Sequence, residues 1–146
     1  MTTYPTDAKP ADQASVAALT QQMLASWAYA DADGFADLFI EQGTLILPGI
    51  YKQGREDIRV FAKDAFENQY KGTQVTGKPI SMRFFGPDVA LLITSGGVMA
   101  AGETEVSDAQ AIRASWFVLR VEGQWRLAAY QNSPAKHQLP VPGSDD

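Results

Sequence analysis

Cysteine is absent and histidine occurs once, at His137. These absences exclude disulfide scaffolds, thiolate nucleophiles, zinc–thiolate sites and any centre that needs two imidazoles. Positive charge is also short, with 12 lysines and arginines against 17 aspartates and glutamates and a formal net charge of −5. Nucleic-acid binders displace counterions with concentrated positive charge, so no nucleic acid is expected as a partner and no anionic membrane surface either. Long apolar runs are missing as well. The uncharged stretch from Val89 to Gly102 falls short of the ~18–20 residues that cross a bilayer and is broken at Gly96–Gly97. The opening residues Met1 to Pro10 lack the apolar core of a secretory signal, which makes the cytoplasm the expected location.

What is present is one domain's worth of chain. The 146 residues, 45% hydrophobic and 20% charged, sit near globular averages. At ~150 residues a domain buries roughly 68–70% of its unfolded surface, enough for one core and too little for two. The expected layout is a flexible N-terminus over 1–11, a single domain over 12–134 and a Pro-rich flexible tail over 135–146 that contains His137.

Val16, Leu19, Met23, Leu24 and Trp27 fall on one helical stripe, with Asp12 placed to cap it. The pattern breaks at Asp31–Asp33. Phe35, Leu38 and Phe39 then predict a short second helix, capped by Asp31 or Asp33 and ended by Gly43. Thr44 to Leu47 reads as a strand, Pro48–Gly49 as a turn, and Ile50–Tyr51 as the return strand. Ile58, Phe61, Ala62, Ala65 and Phe66 mark a third helix beyond Gly54. The remainder is strand: 75–76, 80–85, 89–101, 112–121 and 125–132, with turns at Gly86–Asp88 and Glu122–Gly123. This segregated order predicts an α+β fold, three helices lying on one face of a curved antiparallel sheet.

The last hairpin assigns faces. A two-residue turn at Glu122–Gly123 sets Arg120 opposite Trp125, Val118 opposite Leu127, Trp116 opposite Ala129 and Ala114 opposite Gln131. Trp116, Val118, Trp125, Leu127 and Gln131 then share one face. The other carries Ser115, Phe117, Leu119, Val121, Ala128, Tyr130 and Asn132 and is too apolar to face water, which predicts a homodimer.

The ordered set Trp27–Ala–Tyr–Ala–Asp31–Ala–Asp–Gly–Phe35–Ala–Asp–Leu–Phe39, Pro48–Gly49, Gly54–Arg55–Glu56, Gly86–Pro87–Asp88–Val89–Ala90 and Gly123–Gln–Trp125–Arg–Leu–Ala–Ala–Tyr–Gln131–Asn132 resembles the SgcJ/EcaC family. That family lies within the SnoaL-like, nuclear-transport-factor-2-like superfamily, and the resemblance spans roughly residues 12 to 134. It implies a cone-shaped, cystatin-like α+β barrel enclosing a pocket, a homodimer through the convex sheet face, and bacterial gene clusters for enediyne or other polyketide antibiotics. Relatives in the superfamily include polyketide cyclases, ketosteroid isomerases and limonene epoxide hydrolases, alongside binding domains without activity. The cyclases and epoxide hydrolases carry a catalytic Asp two residues after a strand-opening Trp. Leu127 stands at that position here. The acid, base and phenol set of the ketosteroid isomerases has no counterpart on the expected concave positions.

The carboxylates have structural readings: Asp31 and Asp33 as caps, Asp37 and Glu41 toward solvent, and Glu103, Glu105 and Asp108 in a solvated loop. No metal or other cofactor is expected. Arg83 and Arg113 read either as rim charges or as carboxylate anchors. The aromatics Trp27, Tyr51, Trp116 and Trp125 are candidates for a ligand-binding wall, with Tyr51, Gln131 and Asn132 as polar handles. The expected function is binding of an apolar polyketide-like or polyene-like small molecule, either shielding it or assisting a cyclase-type or isomerase-type rearrangement. The alternative is a non-catalytic dimerisation or partner-binding module, whose concavity would be filled by Phe61, Phe66 and Met82.

Overall fold

Helix α1 (Pro10–Ala28) starts with proline in its first turn, where a missing N–H costs nothing, and buries Val16, Leu19, Thr20, Met23, Ser26 and Trp27. Its N-cap is Lys9, which offers no side-chain hydrogen bond. Asp12 does not cap the helix. Its carboxylate accepts from Arg120 Nη1 at 2.7 Å and from Trp125 Nε1 at 3.4 Å. A guanidinium is a stronger donor for a carboxylate than a backbone amide, so the distant partner wins. These distances come from a computed structural model, which describes residues 8–136 and 142–143. His137 and most of the expected tail, like residues 1–7, lie outside the described residues.

Asp31 does cap α2 (Ala32–Asp37), accepting from the Gly34 N–H at 2.9 Å. Asp33 serves elsewhere, in an ion pair with Arg59 at 2.8 Å. The chain becomes extended at Phe39, so β1 (Phe39–Leu47) contains both Phe39 and Gly43, which periodicity assigned to the end of the second helix. Gly43 lies in a bulge, where pairing jumps from Phe39 opposite Leu127 to Thr44 opposite Ala129. A Cβ on Gly43 would stand 3.0 Å from the Phe39 side chain. Arg55 satisfies the Phe39 carbonyl left out of the ladder, donating Nε and Nη2 at 2.9 and 2.7 Å.

After β2 (Ile50–Gln53), helix α3 (Arg55–Glu67) buries Ile58, Ala62, Ala65 and Phe66. Four long strands follow: β3 (Gln74–Phe84), β4 (Val89–Met99), β5 (Ala111–Val121) and β6 (Gln124–Pro134). The six strands form one curved sheet in the order β2-β1-β6-β5-β4-β3. The α+β class is as the sequence pattern predicts. One pairing differs from a purely antiparallel sheet, since the last strand returns beside the first and β1 runs parallel to β6.

The β5–β6 register follows the expected turn only part-way. Val121 faces Gln124, Arg120 faces Trp125 and Val118 faces Leu127, but Phe117 faces Ala129, Trp116 faces Tyr130, Ser115 faces Gln131 and Ala114 faces Asn132. Ala128 is the extra residue of a β-bulge. One inserted residue exchanges the two faces for everything beyond it. Tyr130 and Asn132 therefore join Trp116 on the helix-covered side, and Gln131 turns outward. No helix among the described residues is long and apolar enough to cross a membrane.

Candidate functional site

The helices do not fill the hollow of the sheet. A cavity of about 140 Å³ remains between α1 and the inner face of β1 and β3 to β6, and among the described residues no charged one lines it. Met23, Leu24 and Trp27 line it from α1, and Phe35 and Tyr70 from the following segments. Trp116, Tyr130 and Asn132 form the opposite wall. Val75, Gly77 and Gly97 line the β3–β4 side, and Gln110 stands at the end reached by the 100–110 loop.

Two glycines permit this shape. A Cβ on Gly96 would lie 1.9 Å from the Thr76 carbonyl oxygen, and one on Gly97 would lie 2.3 Å from that of Gln110 and 2.5 Å from Val106 Cγ1. The bare backbone thus lets β3 and the 100–110 loop approach β4 closely. Gly77 differs. Its Cβ would point toward Leu24 and Thr94 at ordinary contact distances of 3.7 and 4.0 Å.

The aromatic wall is held from behind. Trp27 meets Phe66, Tyr70 and Phe35 edge-on at 5.1, 5.0 and 6.2 Å between centroids. Its Nε1 donates to Thr73 Oγ1 at 2.9 Å, and that hydroxyl donates to the Tyr70 carbonyl at 2.6 Å. Trp116 donates Nε1 to Thr94 Oγ1 at 2.9 Å and packs edge-on against Tyr130 at 5.1 Å. Both indole N–H groups are therefore committed within the protein.

Asn132 and Tyr130 are not fully committed. Asn132 Nδ2 donates to the Tyr130 hydroxyl at 3.2 Å, while Asn132 Oδ1 is buried with no hydrogen-bond partner among the described residues. Burial pushes the Tyr130 phenol above its ordinary value of 10.0, against an opposing pull from the Asn132 hydrogen bond. The phenol is consequently neutral at physiological pH, and its own hydrogen has no acceptor among the described residues.

Of the six residues singled out from sequence, Trp27, Trp116 and Asn132 come together around this cavity. Tyr51, Trp125 and Gln131 do not. Tyr51 is 65% exposed on the far side of the sheet, where its hydroxyl donates to Gln53 Oε1 at 3.1 Å. Trp125 is buried at the other end of the sheet, edge-on to Phe84 at 5.6 Å and beneath the Arg120 guanidinium at 5.3 Å. Gln131 is exposed because of the bulge at Ala128. Tyr130 was expected on the outer face for the same reason and is instead a wall residue. Arg83 and Arg113 lie on the outer face, Arg83 over the Phe85 ring at 5.6 Å, and neither lines the cavity.

The match to known families is direct. The model of the SnoaL-like domain covers residues 16–136. The chain belongs to the SnoaL-like family. Among solved structures, this SnoaL-like domain is similar to a domain of unknown function with a cystatin-like fold from Nostoc punctiforme. That likeness has 27% identity and a TM-score of 0.81, covering 91% of this chain and 81% of that one. An NTF2-like protein with a cystatin-like fold from Novosphingobium aromaticivorans shares 19% identity with a TM-score of 0.74, over 92% and 85% of the two chains. A ketosteroid isomerase-like protein from Erwinia carotovora shares 17% identity with a TM-score of 0.69, over 87% and 98%. No curated protein matches the SnoaL-like domain.

Proposed function

We propose that the protein binds a small, neutral, largely apolar molecule in the cavity between α1 and the sheet. The observation that carries this reading is a hollow of about 140 Å³ walled by Trp27, Trp116 and Phe35, with no charged side chain among the described residues that line it. An apolar cavity of ~150 Å³ holds one benzene, whereas drug-sized ligands occupy ~300–1,000 Å³. The ligand is thus a single ring or a short conjugated chain, or the end of a longer molecule. A carboxylate or ammonium would lose its hydration with no counter-charge to replace it.

The alternative of a filled scaffold is less well supported. Phe66 packs behind Trp27, and neither Phe61 nor Met82 lines the cavity. The finer reading, an accessory protein of bacterial enediyne or polyketide biosynthesis working in the cytoplasm, rests on the SgcJ/EcaC-like motifs. A polyketide would insert one unsaturated segment here rather than a polycyclic body. The test is calorimetric titration with benzene and toluene. Saturable one-to-one binding supports the reading, and its absence refutes it.

We also propose that a second copy of the chain covers the outer sheet face. Phe117, Val121 and Phe85 on that face are 42, 43 and 47% exposed, and Ile46 adds 37%. Leu91, Ile93 and Leu119 lie partly buried between them. Tyr130 takes no part, since it faces inward.

A further inference from the structure

The polar corner that Tyr130 and Asn132 form in the cavity has an asymmetric hydrogen-bonding state. Asn132 Oδ1 is a buried acceptor without a donor, and the neighbouring Tyr130 hydroxyl accepts from Asn132 Nδ2 and keeps its own hydrogen unspent. A buried acceptor left unpaired is unfavourable, so in this orientation of the amide the corner takes a water or a ligand group that supplies a donor, whereas a turned amide would spend Oδ1 on the Tyr130 hydroxyl and leave Nδ2 to favour a ketone. A group that also accepts satisfies the phenol hydrogen at the same time. A neutral hydroxyl does both with one oxygen.

We propose that the natural ligand is a phenol or a ring alcohol whose hydroxyl donates to Asn132 Oδ1 and accepts from the Tyr130 hydroxyl. This rests on the ligand-binding reading of the same cavity and adds the chemical class. Aldehydes and ketones satisfy only the phenol, ethers do the same with more bulk, and hydrocarbons satisfy neither group. The Trp27 and Trp116 N–H groups do not compete for the hydroxyl, because they already donate to Thr73 and Thr94, and the other polar side chains of the wall, Thr76 and Gln110, come from β3 and the 100–110 loop rather than from β6. The ligand's apolar part would lie against Trp27, Phe35 and Met23, with the corner setting which end points toward β6. Among the described residues the cavity wall holds no charged group near Asn132, which makes this a recognition of neutral hydroxyl rather than phenolate.

The experiment titrates wild type, Tyr130→Phe and Asn132→Leu with benzene, phenol, cyclohexanol and cyclohexanone, reading dissociation constants by calorimetry. Phenylalanine at 130 keeps the ring that packs on Trp116, so this variant tests the hydroxyl without removing the wall. The expected result is that phenol binds roughly two- to tenfold tighter than benzene, and cyclohexanol tighter than cyclohexanone by a similar factor. Asn132→Leu should abolish the cyclohexanol-over-cyclohexanone preference and weaken the phenol-over-benzene preference, and Tyr130→Phe should weaken the phenol preference while cyclohexanol stays ahead of cyclohexanone. Equal binding of alcohol and ketone by wild type, or an alcohol-over-ketone preference that survives Asn132→Leu, would overturn the hydroxyl assignment while leaving the cavity reading intact. Failure of all four probes on wild type would overturn both.

Discussion

Trp116 and Tyr130 stand directly opposite each other across the β5–β6 ladder, rings edge-on with 5.1 Å between centroids. This pairing places an indole, a phenol and the amide of Asn132 on one wall of a largely apolar cavity. It exists because Ala128 is bulged out of the ladder. Deleting Ala128 should leave Tyr130 opposite Trp116 and Gln131 outward, because the pairs Val118–Leu127 and Phe117–Ala129 become consecutive rungs of a regular ladder once the extra residue is gone. Urea unfolding should show a loss of about 1 kcal/mol or less both for the deletion and for Ala128→Gly, and loss of the folded state on deletion would contradict this register.

Gly96 and Gly97 should tolerate alanine unequally. At 96 the new methyl meets the backbone of β3, which is fixed by its own ladder, and at 97 it meets Val106 and the Gln110 carbonyl of a loop. Overpacking a close contact costs about 1–3 kcal/mol, and the rigid neighbour should put Gly96→Ala at the upper end. Gly97→Ala should displace the 100–110 loop and raise amide exchange there with a smaller fall in thermal midpoint. Equal midpoints for the two variants would contradict this account.

Alkaline pH should expose the burial of Tyr130. Its folded-state ionisation lies above the ordinary 10.0, so the neutral phenol's contribution is fully present below that pH. The contribution is lost as pH rises through the folded-state value, because the unfolded chain releases the proton more readily. Urea midpoints of wild type should therefore fall more steeply above pH ~10 than those of Tyr130→Phe. Parallel curves would show that the phenol ionises in the folded protein as freely as in water.

The outer face predicts its own outcome. Arginine at Phe117 and Leu119 places two charges in the middle of the apolar patch, which a stable interface of ~800 Å² per partner cannot absorb. Wild type should sediment as a dimer at micromolar concentration and the double variant as a folded monomer. A monomeric wild type would end the dimer proposal.

How much of this was legible beforehand depends on range. Helices α1 and α3 announce themselves because Val16, Leu19, Met23 and Trp27, and Ile58, Ala62, Ala65 and Phe66, repeat at helical spacing. The Glu122–Gly123 turn is equally local, and the register it sets holds as far as Val118 and Leu127. Beyond that, Leu127–Ala–Ala–Tyr130 carries no glycine or proline to mark the bulge, so alternation alone sends Gln131 inward and Tyr130 outward. Gly43 misleads in the opposite sense, because glycine ends helices and also marks bulges. Asp12 looks like a cap because its donor, Arg120, lies 108 residues away. Trp27 and Trp116 emerge as wall residues from sequence, whereas Asn132, named there as a polar handle, reaches the wall only through the bulge that the expected register lacks. Tyr51 and Trp125 fall outside because aromatic character does not specify which face of a strand, or which end of a sheet, a ring occupies.

The central claim is that the hollow beside Gly77 holds a ring-sized neutral ligand. Gly77→Val tests it most directly, because the added side chain enters that space at ordinary contact distance from Leu24 and Thr94 and introduces a residue favoured in strands. Calorimetric titration with benzene and phenol should give saturable binding to wild type. It should give no detectable binding to Gly77→Val, with the variant's thermal midpoint equal to or above that of wild type. Binding of equal strength by both proteins, or by neither, would contradict the account.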